Sequence, residues 1–594
     1  MTLFRPRCYC RFVHSAPRPA PAPAPVVRLL PQLADFARQH YGEAPFLLRW
    51  TASGWDATSF AQAARAMHAF AALLEREGVR PGDRIGLQSE NRPEWGLAFL
   101  AILEAGAVVV PLDALLREQE VGELLSTASA THCVVSARQL DVVRRARDAR
   151  VPGLRLVSLD PVEGLPSWEE AAPPAPDAAA REARANPQGL AVLLFTSGTT
   201  GQPKGVMLSH ANLLHNVEAV ARTFEFGPAD RLLSVLPLHH TFESTGGFLC
   251  PLRVGASVAY ARGLKSTELR EDIRTSGATI MLGVPLLYEK LLNAIRRGIA
   301  EAPLVRRLAA RTLLWIARLA RWTTGARLGG PLLRALRERA GLGRLRMFVT
   351  GAAALPPDVF WGFIDLGWPV LEGYGLTECA PVVAANRPER PLPGAVGWPL
   401  PGVEVRIDHP EPDGTGEILV RGPNVMLGYF ANPAATAEVM REGWFCTGDL
   451  GRWTKDGRVR ITGRLKNMIA TAAGKKIYPE EVEVHLANCP FILEVVVTGG
   501  RDARGEREEV HAHVFPDIKS LEALARASGC ACDDGFVDAT LRREVEARCQ
   551  LLAPYKRVKR VIVRRQEFPK TTTGKIRRLD LGAGASEKRV GAVA

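Results

Sequence analysis

Apolar positions along the chain recur with two periods. Leu29, Leu33 and Phe36, then Phe60 through Leu74, fall at helical spacing, so the pattern over 29–77 predicts helix. Pro81-Gly82-Asp83-Arg84 is a turn that feeds an apolar strand over 85–88. Helix and strand then take turns: helix 93–105, strand 107–111, helix 118–128, strand 131–136. That rhythm predicts βαβ units and a largely parallel sheet. The stretch 153–187, rich in Pro, Ala and Glu, reads as an exposed connection. After it come strand 190–195, helix 209–224, strand 231–237 and apolar strand-like segments at 280–287 and 347–354. Gly416-Glu417-Ile418-Leu419-Val420-Arg421-Gly422 alternates as a strand.

The strand 190–195 runs into Thr196-Ser197-Gly198-Thr199-Thr200-Gly201-Gln202-Pro203-Lys204-Gly205. Glycines permit the positive-φ conformations in which successive backbone N–H groups face one anion, and hydroxyls add donors. Lys204 adds a mobile positive charge. Such a loop suits a polyphosphate. It is not a Walker A loop, which ends in Gly-Lys-Ser/Thr; here the lysine stands between Pro203 and Gly205. A second string, Glu372-Gly373-Tyr374-Gly375-Leu376-Thr377-Glu378, offers an aromatic face for a base, a hydroxyl and a carboxylate.

Together these strings resemble the adenylate-forming superfamily: acyl-CoA synthetases, peptide-synthetase adenylation domains and luciferases. The resemblance runs from about Leu33 to about Leu579. The fold class it implies is α/β. A large domain over 26–463 would carry parallel-rich sheets and a smaller barrel-like part. A hinge at 464–467 would lead to a mobile α+β domain over 468–580 and a tail over 581–594.

The site residues follow from the same resemblance. Thr196, Ser197, Gly198, Thr199, Thr200, Gly201 and Lys204 would hold the ATP phosphates. Gly351 and Ala352 would lie beside the adenine and the acyl group, with Tyr374 and Gly375 bordering the base. Thr377 would reach a phosphate, and Glu378, joined by Thr196, would ligate Mg²⁺. Asp449 and Arg464 would hold the ribose. His240, in Pro237-Leu238-His239-His240, would line the carboxylate pocket, with His239 a spectator. Lys466 would be the hinge, followed by Asn467 where the family commonly has aspartate. Gly474 would flank the pantetheine of CoA, and Lys575 would be the catalytic lysine. The implied activity is ATP-dependent formation of acyl-AMP and transfer to CoA, the fatty acyl-CoA synthetases being the nearest in pattern. Ligases that load a carrier protein or take aromatic acids share this chemistry. A non-catalytic relative would be expected to lack Lys575 or Glu378, and both are present.

Charge and cysteines narrow the partners. With 594 residues the chain can bury more than one core, and its net charge of +13 suits ATP, CoA or an anionic membrane surface. No motif interleaves aromatics with basic residues as nucleic-acid binders do. Ten scattered cysteines, without a paired zinc-site spacing, read as reduced thiols in a cytoplasmic compartment. No apolar run reaches the roughly 20 residues that span a bilayer. Residues 1–25 are rich in Arg, Pro and Ala and read as a transit peptide, a disordered extension or the product of an over-long start. Within 304–322, Leu304, Leu308, Trp315, Leu319 and Trp322 recur at near-helical spacing among five arginines and no acid. That is the composition of an interfacial helix docking on anionic lipid. The alternative is that this apolar stripe packs on the large domain.

Overall fold

The computed structural model describes residues 27–171, 186–196, 203–324, 328–470, 476–487, 489–501, 508–570, 576 and 578. Residues 1–25, Ser197 to Gly201, Gly474 and Lys575 therefore lie outside the described residues.

The alternating segments fold into two large sheets. A seven-stranded sheet runs Gly428–Tyr429, Lys204–Ser209, Leu190–Thr196, Val108–Leu112, Arg84–Gln88, His132–Val135, Arg155–Ser158, and it is parallel from Leu190–Thr196 to Arg155–Ser158. The nine-stranded sheet has a parallel centre of Val370–Gly375, Met347–Thr350, Ile280–Gly283, Arg231–Ser234, Ser257–Tyr260 and Pro45–Thr51. A five-stranded antiparallel sheet, built on Gly416–Arg421, Trp444–Trp453 and Val459–Arg464, is the barrel-like part. One apolar core unites these sheets, with members from Leu30 to Val459. A second core starts at Ile469 and ends at Leu552; it packs around the sheet Ile492–Arg501, Glu508–Pro516 and Arg560–Val563.

Two sequence readings are corrected. The span 29–77 is not continuous helix: the helices Gln32–Tyr41 and Phe60–Arg76 flank a hairpin, Pro45–Thr51 with Gly54–Ser59. Phe46, Leu47 and Leu48 are buried in succession, as in a strand covered on both faces. Ser59 ends the hairpin and caps the next helix. Its hydroxyl accepts from the Gln62 N–H (3.1 Å), and the Gln62 side chain accepts from the Ser59 N–H (2.8 Å), a cap worth about 1 kcal/mol. The connection 153–187 also contains structure. Arg155–Ser158 is an edge strand whose last three residues are buried.

The helix His210–Thr223 places the site. Ser209 caps it in the same reciprocal way with Asn212. Asn212 and Asn216, four residues apart, lie on one face. The Asn212 amide donates to the carbonyls of Pro423 and Val425 (2.7 and 2.9 Å), and Asn216 to that of Val382 (2.8 Å). Both amides are buried, so each bond satisfies a group whose orphaning would cost about 1–3 kcal/mol. These bonds tie two segments that follow Glu378, at 382 and at 423–425, to the helix that succeeds the strand carrying Lys204.

Candidate active site

A cavity of about 680 Å³ opens where the strands of both large sheets end. Thr196 and Lys204, the two described ends of the phosphate-type loop, line it. Their strands are adjacent, with Thr196 paired with Lys204. The Lys204 ammonium sits 4.9 Å from the centre of the Tyr429 ring, and the Tyr429 hydroxyl donates to Glu378 Oε1 (3.0 Å). Burial, then the charge of Glu378, raises the Tyr429 pKa, so this phenol remains a donor.

Gly375, Thr377 and Glu378 line the same cavity. Gly375 has no alternative: a Cβ there would meet the Pro381 carbonyl at 2.1 Å. Gly351 is different: a Cβ there would make only ordinary contacts, with the Gly373 carbonyl and the Phe242 ring at 3.6 Å. Ala352, with φ of 69°, holds a left-handed conformation that costs an L-residue about 1 kcal/mol or more.

Tyr374 is buried, and its hydroxyl donates to Asp449 Oδ2 (2.8 Å). Arg464 Nε donates to Asp449 Oδ1 (2.7 Å). Each carboxylate oxygen thus has one protein donor and one further lone pair, so the two hydroxyls of a ribose could still be taken. Tyr374 borders the cavity, and it also fixes the carboxylate. Arg464 and Lys466 line the cavity rim, and Asn467 donates to Glu480 Oε1 (2.7 Å) in the following helix.

His240 lines the cavity and burial lowers its pKa, against a smaller opposing pull from Asp113, so the imidazole is neutral near pH 7. His239 lies 3.5 Å from Asp113 and is more strongly depressed by burial. Two carboxyls at the cavity have no role in the sequence reading, although Glu372 opens the string 372–378. Glu372 and Glu243 are each pushed up to about 8 by burial, and both oxygens of Glu243 lack a hydrogen-bond partner. Glu372 accepts from the Gly394 N–H (3.2 Å). Tyr429, Glu243 and Glu372 are the cavity residues to which sequence reasoning assigns no role.

The donor set suits Mg²⁺. Glu378 has one oxygen bonded to a phenol and sites remaining for a hard cation, and Thr196 adds a hydroxyl on the same cavity. Mg²⁺ is usually held by one or two carboxylates, with substrate phosphates and water completing its shell.

A cavity polar at one end, with lysine, carboxylates and a ribose-type Asp–Arg pair, is what an adenylate site needs. The family model described as AMP-binding enzyme matches residues 33–430. The chain belongs to the AMP-binding enzymes. A long-chain-fatty-acid–CoA ligase of Mycobacterium bovis is 32% identical over 523 residues, covering 83% of each chain. Indoleacetate–CoA ligase of Aromatoleum aromaticum is 31% identical over 531 residues, 88% of this chain and 92% of its own. The crystal structure of ATP-bound MatB from Rhodopseudomonas palustris superposes with a TM-score of 0.70 at 27% identity, over 93% of this chain and 98% of that one. The architecture of this AMP-binding enzyme is thus that of the adenylate-forming CoA ligases.

Proposed function

We propose that this AMP-binding enzyme is an acid–thiol ligase that activates fatty acids with ATP and passes them to CoA. The observation that carries this reading is the continuity of one cavity. It joins the polar end at Lys204, Glu378 and Arg464 to an apolar run between Leu232 and Val349. The acid's carboxylate oxygen attacks the α-phosphorus of ATP, the bond to the β-phosphate breaks, and pyrophosphate leaves. The CoA sulfur then attacks the acyl carbon of acyl-AMP, and AMP leaves. Thr196 to Lys204 hold phosphates, Asp449 and Arg464 the ribose, and neutral His240 borders the carboxylate. Glu378, with Thr196, would hold Mg²⁺, which supplies charge neutralisation at the phosphates. Catalysis of this type rests on positioning and charge stabilisation.

The two halves of the reaction ask for a domain rotation. The large domain would cover 26–463 and the small one 468–580, turning about Lys466. Supporting this is the break between the two apolar cores, Val459 on one side and Ile469 on the other. Gly474 would meet pantetheine after that rotation, and Lys575 would act before it. The assay is pyrophosphate release over unbranched acids of graded length, with and without CoA. Release that ignores CoA, with no thioester formed, would favour a carrier-protein acceptor. A preference for aryl acids, as the indoleacetate relative's name suggests, would move the substrate class.

A second element supports contact with anionic membranes. The helix Leu304–Thr324 packs Leu313, Leu314 and Ala317 inward, while Leu304, Leu308, Trp315, Leu319 and Trp322 are exposed, Trp322 by 83%. So the apolar stripe faces out rather than packing on the large domain. Arg318 and Arg321 are tied to Asp365, each Nε at 2.8 Å from one of its oxygens. The arginines for a lipid surface are then Arg306, Arg307 and Arg311. No helix among the described residues is long and apolar enough to cross a membrane. Exchanging these three arginines for glutamate is expected to weaken co-sedimentation with anionic vesicles by about a hundredfold or more, at about 1 kcal/mol per charge. Sedimentation indifferent to the exchange and to salt would remove the docking role.

A further inference from the structure

The far end of the cavity takes no part in nucleotide chemistry. Its wall is one face of the nine-stranded sheet, and the lining residues recur at every second position. Leu232, Ile280 and Met347 form one row across three parallel strands, and Leu282, Val349 and Leu371 the next. Gly351 and Gly373 then mark the nucleotide end. Four residues separate Met347 from Gly351, about 13 Å along a strand. Both rows are wholly apolar. Val220 and Phe224, from the helix His210–Thr223 and the residue after it, also line the cavity.

Beyond the first row, the segment 224–230 crosses the end of the cavity. Phe224 is buried and Phe226 half-buried, and both line the cavity. The segment is pinned from the neighbouring strand. Arg346, immediately before Met347, donates through Nε to Asp230 Oδ1 (2.7 Å) and through Nη2 to Asp230 Oδ2 (2.9 Å) and the Glu225 carbonyl (2.6 Å). The Thr279 hydroxyl donates to Asp230 Oδ1 (2.8 Å), and the Gly227 N–H to Asp230 Oδ2 (3.0 Å). Asp230 therefore uses both oxygens to clasp the turn carrying Phe226 onto the starts of two strands. Bidentate arginine–carboxylate contacts of this kind fix geometry as well as charge.

We propose that Phe224 and Phe226 are the floor of the acyl pocket, and that the Asp230–Arg346 clasp, by holding that floor in place, sets the longest unbranched alkyl chain the enzyme accepts. The proposal rests on reading the cavity as the acid-binding site. An alkyl chain running from Gly351 down the apolar rows meets the two rings, and its next methylene must displace a ring or stay outside. In a closed apolar pocket, one methylene in excess is discriminated by about tenfold or more. Arg346 is a positioning residue: it touches the loop and not the chain.

The test uses the full-length enzyme with non-hydrolysable acyl-sulfamoyl adenosines carrying octanoyl, dodecanoyl and hexadecanoyl chains. Affinities are measured by calorimetry, alongside turnover of the same three acids. Phe226→Ala is expected to raise the hexadecanoyl-to-octanoyl affinity ratio by about tenfold, and Phe226→Trp to lower it. Arg346→Gln is expected to raise the ratio too, through KM for hexadecanoate rather than kcat. Phe226 variants whose ratios overlay the wild type overturn the floor. A shift in those variants but none in Arg346→Gln overturns the clasp. A wild type that turns over none of the three acids overturns the fatty-acid reading, while the affinity ratios still decide the floor.

Discussion

Lys575→Ala is expected to lower acyl-AMP formation by about a hundred- to a thousandfold, the loss typical of removing one donor aimed at developing transition-state charge. Thioester formation from supplied acyl-AMP is expected to survive largely intact. The reason is a division of labour. A lysine ammonium is a compact point charge on a flexible stem, suited to bridging the carboxylate and an α-phosphate oxygen during the first half-reaction. In the second half-reaction the nucleophile is a thiolate and the charge to be relieved lies on the departing AMP, which Asp449 and Arg464 would continue to hold. Pyrophosphate release reports the first step, and consumption of the CoA thiol in the presence of acyl-AMP reports the second. Equal loss in both would end the separation of roles.

The next largest effect is expected from Asp449→Ala. Asp449 is 4% exposed and is the acceptor for both Tyr374 and Arg464. Its removal leaves a buried phenol and a guanidinium without their acceptor. Breaking a buried pair costs about 3–5 kcal/mol, and Arg464, still 45% exposed, places this case near the lower bound. The proposed ribose contact would go with it, so KM for ATP should rise by about tenfold or more, as for a lost charged hydrogen bond. Asp449→Asn keeps the shape and one acceptor oxygen, and should fall between. Thermal melting and ATP titration of the two variants separate the effects. A melting loss without any change in ATP affinity would confine Asp449 to a structural part.

The local strings were legible and the long-range contacts were not. The run Leu190–Thr196 announces a strand that ends at a cavity, because the apolar run is followed at once by hydroxyls, glycines and a lysine. The bond from Tyr429 to Glu378 joins residues 51 positions apart, and no local pattern marks a tyrosine as a carboxylate's partner. The hairpin Pro45–Ser59 escaped because its first strand buries three residues in succession, which a short window does not distinguish from helix. In the helix Leu304–Thr324 periodicity finds the apolar stripe but not the direction it faces. That direction is fixed by contacts far along the chain, among them Asp365, more than 40 residues away, which accepts from both Arg318 and Arg321.

The triangle of Tyr374, Asp449 and Arg464 has a thermodynamic corollary. Tyr374 belongs to the nine-stranded sheet, Asp449 and Arg464 to the five-stranded one, and Arg464 stands two residues before Lys466. A nucleotide whose hydroxyls took the remaining lone pairs of Asp449, as proposed above, would share that carboxylate with Arg464, and so bear on the start of the segment that leads into the second core. Binding and orientation are then two ends of one equilibrium. Whatever factor a nucleotide applies to the population of one arrangement of the small domain, that arrangement must apply to the nucleotide's affinity.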